Sequence, residues 1–160
     1  MSAAPSRNSA AGRIRRGSLA DIEAVLALEA LFPSDRMSRR SVRRFLSVPT
    51  AQVLIAENAD AAVVGNLVWL RRKGSRAARI YSVVVAPTAR GQRWGERLVL
   101  AMETAASAAG CERASLEVRA DNAAARALYA KLGYREVQTL PGYYDDGSDG
   151  LRLLKPLLRV

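Results

Sequence analysis

Residues 82–137 read SVVVAPTARGQRWGERLVLAMETAASAAGCERASLEVRADNAAARALYAKLGYREV. The stretch opens on a β-branched run ending at Val85. It then crosses an Arg/Gly loop and enters a segment whose apolar positions Leu98, Val99, Met102, Ala105, Ala106 and Ala109 recur at helical spacing. A strand, a glycine loop and a helix start in that order make a site for an anion: the first N–H groups of a helix point outward, and the helix dipole adds partial positive charge. Gly91 and Gly95 let the backbone approach a pyrophosphate, and Arg90 and Arg93 add two cations. The structural alternative is that Gly95 only permits close helix packing. Walker A needs Gly-Lys-Ser/Thr, and neither it nor a full G-x-G-x-x-G is present, so nucleoside triphosphate hydrolysis is disfavoured.

Upstream, Arg13 to Arg16 suits a short strand. Ser18 with Asp21 makes a capping box for the apolar-periodic run Ile22, Val25, Leu26, Leu28, Leu31, a first helix ended by Pro33. A second helix starts at Ser38, with Val42, Phe45 and Leu46 on one side and Arg39, Arg40, Arg43 and Arg44 on the rest, and stops before Pro49. Gln52 to Glu57, Val63 to Arg71 and Arg79 to Val85 read as three strands of a meander. Downstream, Gly110 closes the long helix and Ser115 to Val118 is a strand. Asp121 or Asn122 caps another helix ending near Gly133, and Tyr134 to Leu140 and Leu151 to Leu154 are the last strands. The order is β-αα-βββ-α-β-α-ββ, without an internal repeat, in a chain whose 160 residues match one domain over 13–160. The polar, Ala/Ser-rich start, 1–12, is expected to be a disordered tail, although an Arg-bearing, acid-free start also permits a transit peptide.

Composition narrows the chemistry. With no histidine, Ser-His-Asp and Cys-His nucleophile systems, two-His zinc sites and an imidazole base are excluded. The single cysteine, Cys111, excludes an internal disulfide and multi-Cys metal clusters, fits a cytoplasmic setting, and reads as a small packing residue. No apolar run approaches the ~20 residues of a membrane span. Twenty-five Lys and Arg against fifteen Asp and Glu give +10. That charge suits a phosphorylated cofactor first; an Arg-rich coding bias comes second and nucleic acid third.

The same stretch, with the later GYYDDGSDGLRL, resembles the GNAT superfamily of acetyl-CoA-dependent N-acetyltransferases, and within it the RimI-like branch that acetylates protein N-termini. The resemblance runs from about Ile14 to Pro156, and LEVRADNAAARALYAKLGY carries it most specifically. It implies an α/β (α+β) GNAT fold, a mixed central sheet splayed between strands four and five with helices on both faces, and the cofactor's pantetheine arm in the opening. By resemblance, the main chain of Val83, Val84 and Val85 pairs with the pantetheine amides. The loop Arg90, Gly91, Gln92, Arg93, Trp94, Gly95 takes the pyrophosphate, and Asn122 bonds the pantetheine region as well as capping its helix. Glu117 matches the family's catalytic base, Tyr129 the tyrosine that protonates the departing thiolate, and Tyr143 with Tyr144 the substrate-side hairpin. The family's loop reads Q/R-x-x-G-x-G/A, and Arg93 stands at its first glycine.

The implied reaction moves acetyl from acetyl-CoA directly to a primary amine. An α-amine with pKa about 7.7 to 8.0 is cheaper to neutralise than lysine near 10.4, by about 3.5 kcal/mol, and so suits a carboxylate base. The expected acceptor is the N-terminus of a peptide or protein, a ribosomal protein being one candidate; lysine side chains and small polyamines are the alternative. A dinucleotide-binding domain is a further rival, since Glu117 falls 22 residues after Gly95, but a meander precedes the loop where a Rossmann unit has βαβ. A nucleic-acid module using the second helix's arginines and a domain that only senses CoA complete the set of readings.

Overall fold

The computed structural model describes residues 12–33 and 36–158; the expected 1–12 tail falls almost wholly outside them. The elements are β1 (Arg13–Arg16), α1 (Ile22–Glu29), α2 (Arg39–Ser47), β2 (Ala51–Glu57), β3 (Val63–Arg71), β4 (Ala77–Val85), α3 (Trp94–Ala108), β5 (Arg113–Arg119), α4 (Ala123–Lys131), β6 (Arg135–Leu140) and β7 (Gly150–Pro156). Their strand order is β1-β2-β3-β4-β5-β7-β6, mixed in direction, with β4 and β5 parallel. This is the element order read from the sequence. Among the described residues no helix is long and apolar enough to cross a membrane.

The chain divides into two compact units, Met1–Leu70 with Tyr81–Met102, and Arg71–Ile80 with Glu103–Val160. In the first, β2 and β3 are apolar almost throughout and buried on both faces, as strands covered from two sides must be. Val25, Met37, Val42, Val53, Ile55 and Val68 form its core, with Phe45 and Leu46 of α2 packed on it. Ser38 starts α2 by accepting a hydrogen bond from the Ser41 N–H at 3.1 Å. The Ser18/Asp21 box is also made, the Ser18 N–H reaching Asp21 Oδ2 at 2.8 Å, but it opens a 3-10 turn over Leu19–Asp21 before α1 begins. Arg15 lies between Asp21 and Glu57, at 2.7 and 2.8 Å, and its hydrogen bonds raise its own pKa further. Asp21 is held low by Arg15, and Glu57 by Arg13 and then Arg15.

Two fully enclosed polar side chains of this unit, Glu29 and Asn66, break the apolar rule. Glu29 falls four residues after Val25, on the buried face of α1, and is 2% exposed. Its Oε1 accepts the Met37 N–H at 2.6 Å. Oε2 and both polar atoms of the buried Asn66 side chain make no hydrogen bond of ordinary geometry among the described residues. Burial pushes the Glu29 carboxyl up; the Met37 N–H and the nearby Asn66 amide oppose that rise without cancelling it. A carboxyl raised in the folded state holds its proton longer there than in the unfolded chain. Its contribution to stability therefore falls as pH climbs from the ordinary carboxyl range through the raised value. Glu29→Gln keeps an acceptor for Met37 and adds a donor. It is expected to remove that slope and raise stability at pH 8 by about 1 kcal/mol. Urea denaturation of both proteins at pH 5 and pH 8 checks this; an undiminished slope in the variant would contradict it.

In the second unit, β5 alternates, burying Ala114, Leu116 and Val118 and turning Ser115, Glu117 and Arg119 to the other face. Its parallel pairing with β4 covers Ala77–Arg79 against Arg113–Ser115, and both strands continue past it. On its other side β5 pairs antiparallel with β7 along its length, Glu117 opposite Arg152. β7 thus sits between β5 and β6, leaving β6 as a solvent-facing edge with a register shift at Glu136/Gln138. Gly110, with φ of +92°, ends α3 in the left-handed conformation that lets the Cys111 N–H reach back to the Ala106 carbonyl at 2.9 Å. Cys111 itself is a free, buried thiol.

Candidate active site

The anion loop belongs to the first unit. β4 delivers Val83, Val84 and Val85 as half-buried strand residues, and the Ala86 N–H closes the strand onto the Val64 carbonyl at 2.8 Å. A 3-10 turn over Pro87–Ala89 follows, and then Arg90, Gly91, Gln92 and Arg93 are all exposed. Gly91 has φ of +83° and nothing within 4 Å of where a Cβ would stand. Arg93 has φ of +60°, an uncommon conformation for a residue with a side chain that costs roughly 1–2 kcal/mol. The chain therefore adopts at Arg93 the backbone that a glycine there would take freely, and gains a guanidinium in the loop. The N–H groups of Trp94 and Gly95 stand in the first turn of α3, ahead of the helix's own i→i−4 ladder. Trp94 offers only its main chain, because its indole is 2% exposed, donates to Gln92 Oε1 at 3.2 Å and stacks under Arg97 at 3.9 Å. Open space at Gly91, the first turn of α3 and two guanidinium side chains fit a pyrophosphate.

The proton-transfer candidates belong to the second unit. Glu117 is 7% exposed at its side chain. Its Oε1 accepts Arg79 Nε at 2.9 Å and Arg79 Nη2 at 2.5 Å, and its Oε2 accepts Arg152 Nε at 3.5 Å. Asn122 caps α4, its side chain accepting the Ala125 N–H at 3.1 Å. That helix carries Tyr129, 5% exposed, whose phenol burial pushes up to about 12. The Tyr129 ring meets Tyr134 edge-on at 5.4 Å. Tyr134 is fixed in turn: its hydroxyl donates to Glu103 Oε2 at 2.9 Å, and Lys155 Nζ donates to Glu103 Oε1 at 2.8 Å. Burial, the charge of Glu103 and the hydrogen bond to it all raise the Tyr134 phenol.

Tyr143 and Tyr144 pack ring to ring at 5.0 Å and 89°. Arg119, two residues past Glu117 on the same face of β5, stacks on Tyr144 at 4.4 Å and pairs with Asp146 at 2.8 Å. The tyrosine hairpin is thereby tied to the strand that carries Glu117. Its acids are partly committed: Ser148 and Arg119 hold Asp146 down to about 2, and Asp149 Oδ1 accepts the Gly142 N–H at 2.9 Å. Arg79, Arg152, Glu103, Tyr134 and Lys155 were not singled out from the sequence. The alternation of β4 marks Arg79 only once its register with β5 is known, and Arg152 becomes a neighbour of Glu117 only through the β5–β7 pairing.

Known proteins resemble this chain in sequence and in fold. The model of the acetyltransferase (GNAT) family matches residues 22–134. An uncharacterised N-acetyltransferase of Methanocaldococcus jannaschii is 32% identical over 143 residues, covering 89% of this chain and 90% of its own. A Bacillus subtilis protein, provisionally named a ribosomal protein bS18-alanine N-acetyltransferase, is 31% identical, covering 86% of this chain and 91% of its own. In fold, the ribosomal-protein-S18-alanine N-acetyltransferase of Escherichia coli matches with a TM-score of 0.83 at 22% identity, over 93% of this chain and 96% of its own. A family model spanning most of the chain and a relative above 30% identity along nearly all of it converge on one conclusion: the chain belongs to the GNAT family and is one of its N-acetyltransferases.

Proposed function

We propose that this enzyme transfers the acetyl group of acetyl-CoA directly to the N-terminal α-amine of a peptide or protein. The observation that carries the reading is that the second unit holds an enclosed strand carboxylate, Glu117, and a buried phenol, Tyr129, that burial keeps protonated at neutral pH. Acyl transfer to an amine needs one group to take a proton and another to give one. Acetyl-CoA supplies an acetyl group already activated as a thioester. Glu117 takes the amine's proton, directly or through water, while Arg79 and Arg152 fix its carboxylate. Tyr129 holds a proton on its Oη to give to the departing sulfur. The main chain of Val83, Val84 and Val85 and the side chain of Asn122 hold the pantetheine region, and the loop from Arg90 to Gly95 holds the pyrophosphate. Tyr143 and Tyr144 border the acceptor.

The α-amine is favoured over lysine because neutralising it costs about 3.5 kcal/mol less at equal pH. The Bacillus subtilis relative's name, which specifies a protein alanine, supports the same acceptor class. Mass spectrometry of peptides incubated with enzyme and acetyl-CoA tests it, each sequence supplied with a free or blocked N-terminus and with or without lysine. Acetyl on free N-termini alone is the expected result. Acetyl on lysine, with blocked and free termini alike, overturns the acceptor and leaves the transferase standing.

A further inference from the structure

Two guanidinium groups share the single carboxylate of Glu117, and their exposures are arranged in an informative way. The carboxylate is enclosed, at 7%, while the side chains of Arg79 and Arg152 are 45% and 41% exposed. A molecule approaching Glu117 therefore meets the cations first. The other partner of Arg152 among the described residues does not reduce their charge, because Arg152 Nη1 donates to the neutral amide oxygen of Gln138 at 2.9 Å. Of the five N–H donors of a guanidinium, Arg152 directs one to Glu117 and one to Gln138. The cluster of Glu117, Arg79 and Arg152 holds one negative and two positive groups, a net positive charge beside the group read above as the base.

An amine reaches that face as a cation and is repelled until it loses its proton. An acceptor that also carries a carboxylate offsets the repulsion and pairs with the exposed side of the arginines, whose planar forks match a carboxylate's geometry. We infer that Arg79 and Arg152 form a carboxylate-reading subsite beside Glu117, so that the preferred acceptors carry an acidic side chain within their first two residues. The inference rests on Glu117 lying at the reacting amine. It goes beyond the choice of α-amine over lysine, because it selects among N-termini.

The size of the effect follows from the setting. Exposed ion pairs contribute up to ~1 kcal/mol, about fivefold, and partly buried, forked ones contribute more. A preference of about tenfold in kcat/KM between acidic and basic acceptors, shrinking as salt is added, is expected.

Three free-N-terminus peptides beginning Ala-Asp, Ala-Ala and Ala-Lys, otherwise identical, provide the test with acetyl-CoA and four proteins: wild type, Arg152→Gln, Arg152→Glu and Arg43→Gln. The last has an exposed α2 arginine removed and controls for the chain's overall charge of +10. Wild type is expected to rank Asp over Ala over Lys. Arg152→Gln should compress the ratio, Arg152→Glu should invert it, and Arg43→Gln should leave it at the wild-type value, with thermal melts confirming that each protein is folded. A wild-type ratio near one or favouring Lys overturns the subsite. So does a ratio that both Arg152 variants preserve, or that Arg43→Gln shifts as far as Arg152→Gln does. If wild type acetylates none of the three N-termini but does acetylate lysine side chains or a polyamine, the α-amine reading fails. The same acidic, neutral and basic series built around that amine then decides the subsite separately.

Discussion

Replacing Glu117 by Gln should lower kcat for a free-N-terminus peptide by about 10²- to 10³-fold, within the range that a positioned general base contributes. The amide has nearly the same shape but cannot take a proton, so binding of the acceptor should change far less than turnover. Stability should also change little. The partners it leaves, Arg79 and Arg152, are nearly half exposed and water can solvate them, so the loss should stay below about 1 kcal/mol. Steady-state kinetics at several pH values, alongside a thermal melt, separate the two effects. A folded variant whose rate equals that of wild type at every pH would show that Glu117 only organises the two arginines.

Tyr129→Phe should reduce kcat by about 10²-fold, the low end for loss of a general acid. Phenylalanine preserves the ring and its edge-on contact with Tyr134, so the core of the second unit stays packed. The phenol loses its proton only as pH climbs through about 12, and below that its donor form persists. Tyr129 therefore contributes no alkaline loss of rate in the range where the protein is assayed, and the variant's rate should be low at every pH in parallel with wild type. The sign for stability is the same: a phenol raised above its usual pKa near 10 stabilises the fold less as pH rises past that value. Single-turnover measurement keeps the chemical step apart from product release. An unchanged single-turnover rate in the Phe variant would remove Tyr129 from the reaction and leave it as a packing residue.

Much of this architecture was legible because local signals agreed with one another. Ser38 and Asn122 cap the helices expected to start at them, Gly110 ends α3, and the strand, loop and helix around Val85 to Gly95 occur where the β-branched run meets the glycines. What was hidden depends on pairing at a distance. The chain runs β6 then β7, yet β7 lies next to β5, and that swap alone brings Arg152 opposite Glu117. Glu103 reads as one more polar residue of a long helix until Tyr134 and Lys155, some thirty and fifty residues on, converge on its two oxygens. Glu29 carried a usable signal, its place four residues after Val25, but a single glutamate in an amphipathic run is ordinarily at the wet boundary of the stripe. The positive φ of Arg93 likewise emerges only from the backbone, although a side chain where the related pattern has glycine pointed to that position.

The hydrogen bond from Trp94 to Gln92 has an optical consequence. The chain has two tryptophans, and both indoles are buried: Trp69 at 5% exposure, bonded to Gln52 at 3.0 Å, and Trp94 at 2%. Indole emission shifts with the polarity and hydrogen bonding around the ring nitrogen. Only the Trp94 nitrogen is bonded to a residue of the anion loop. A ligand that draws Gln92 toward itself changes the colour of one fluorophore and leaves the other as an internal reference, so the protein carries its own spectroscopic reporter of whether that loop is occupied.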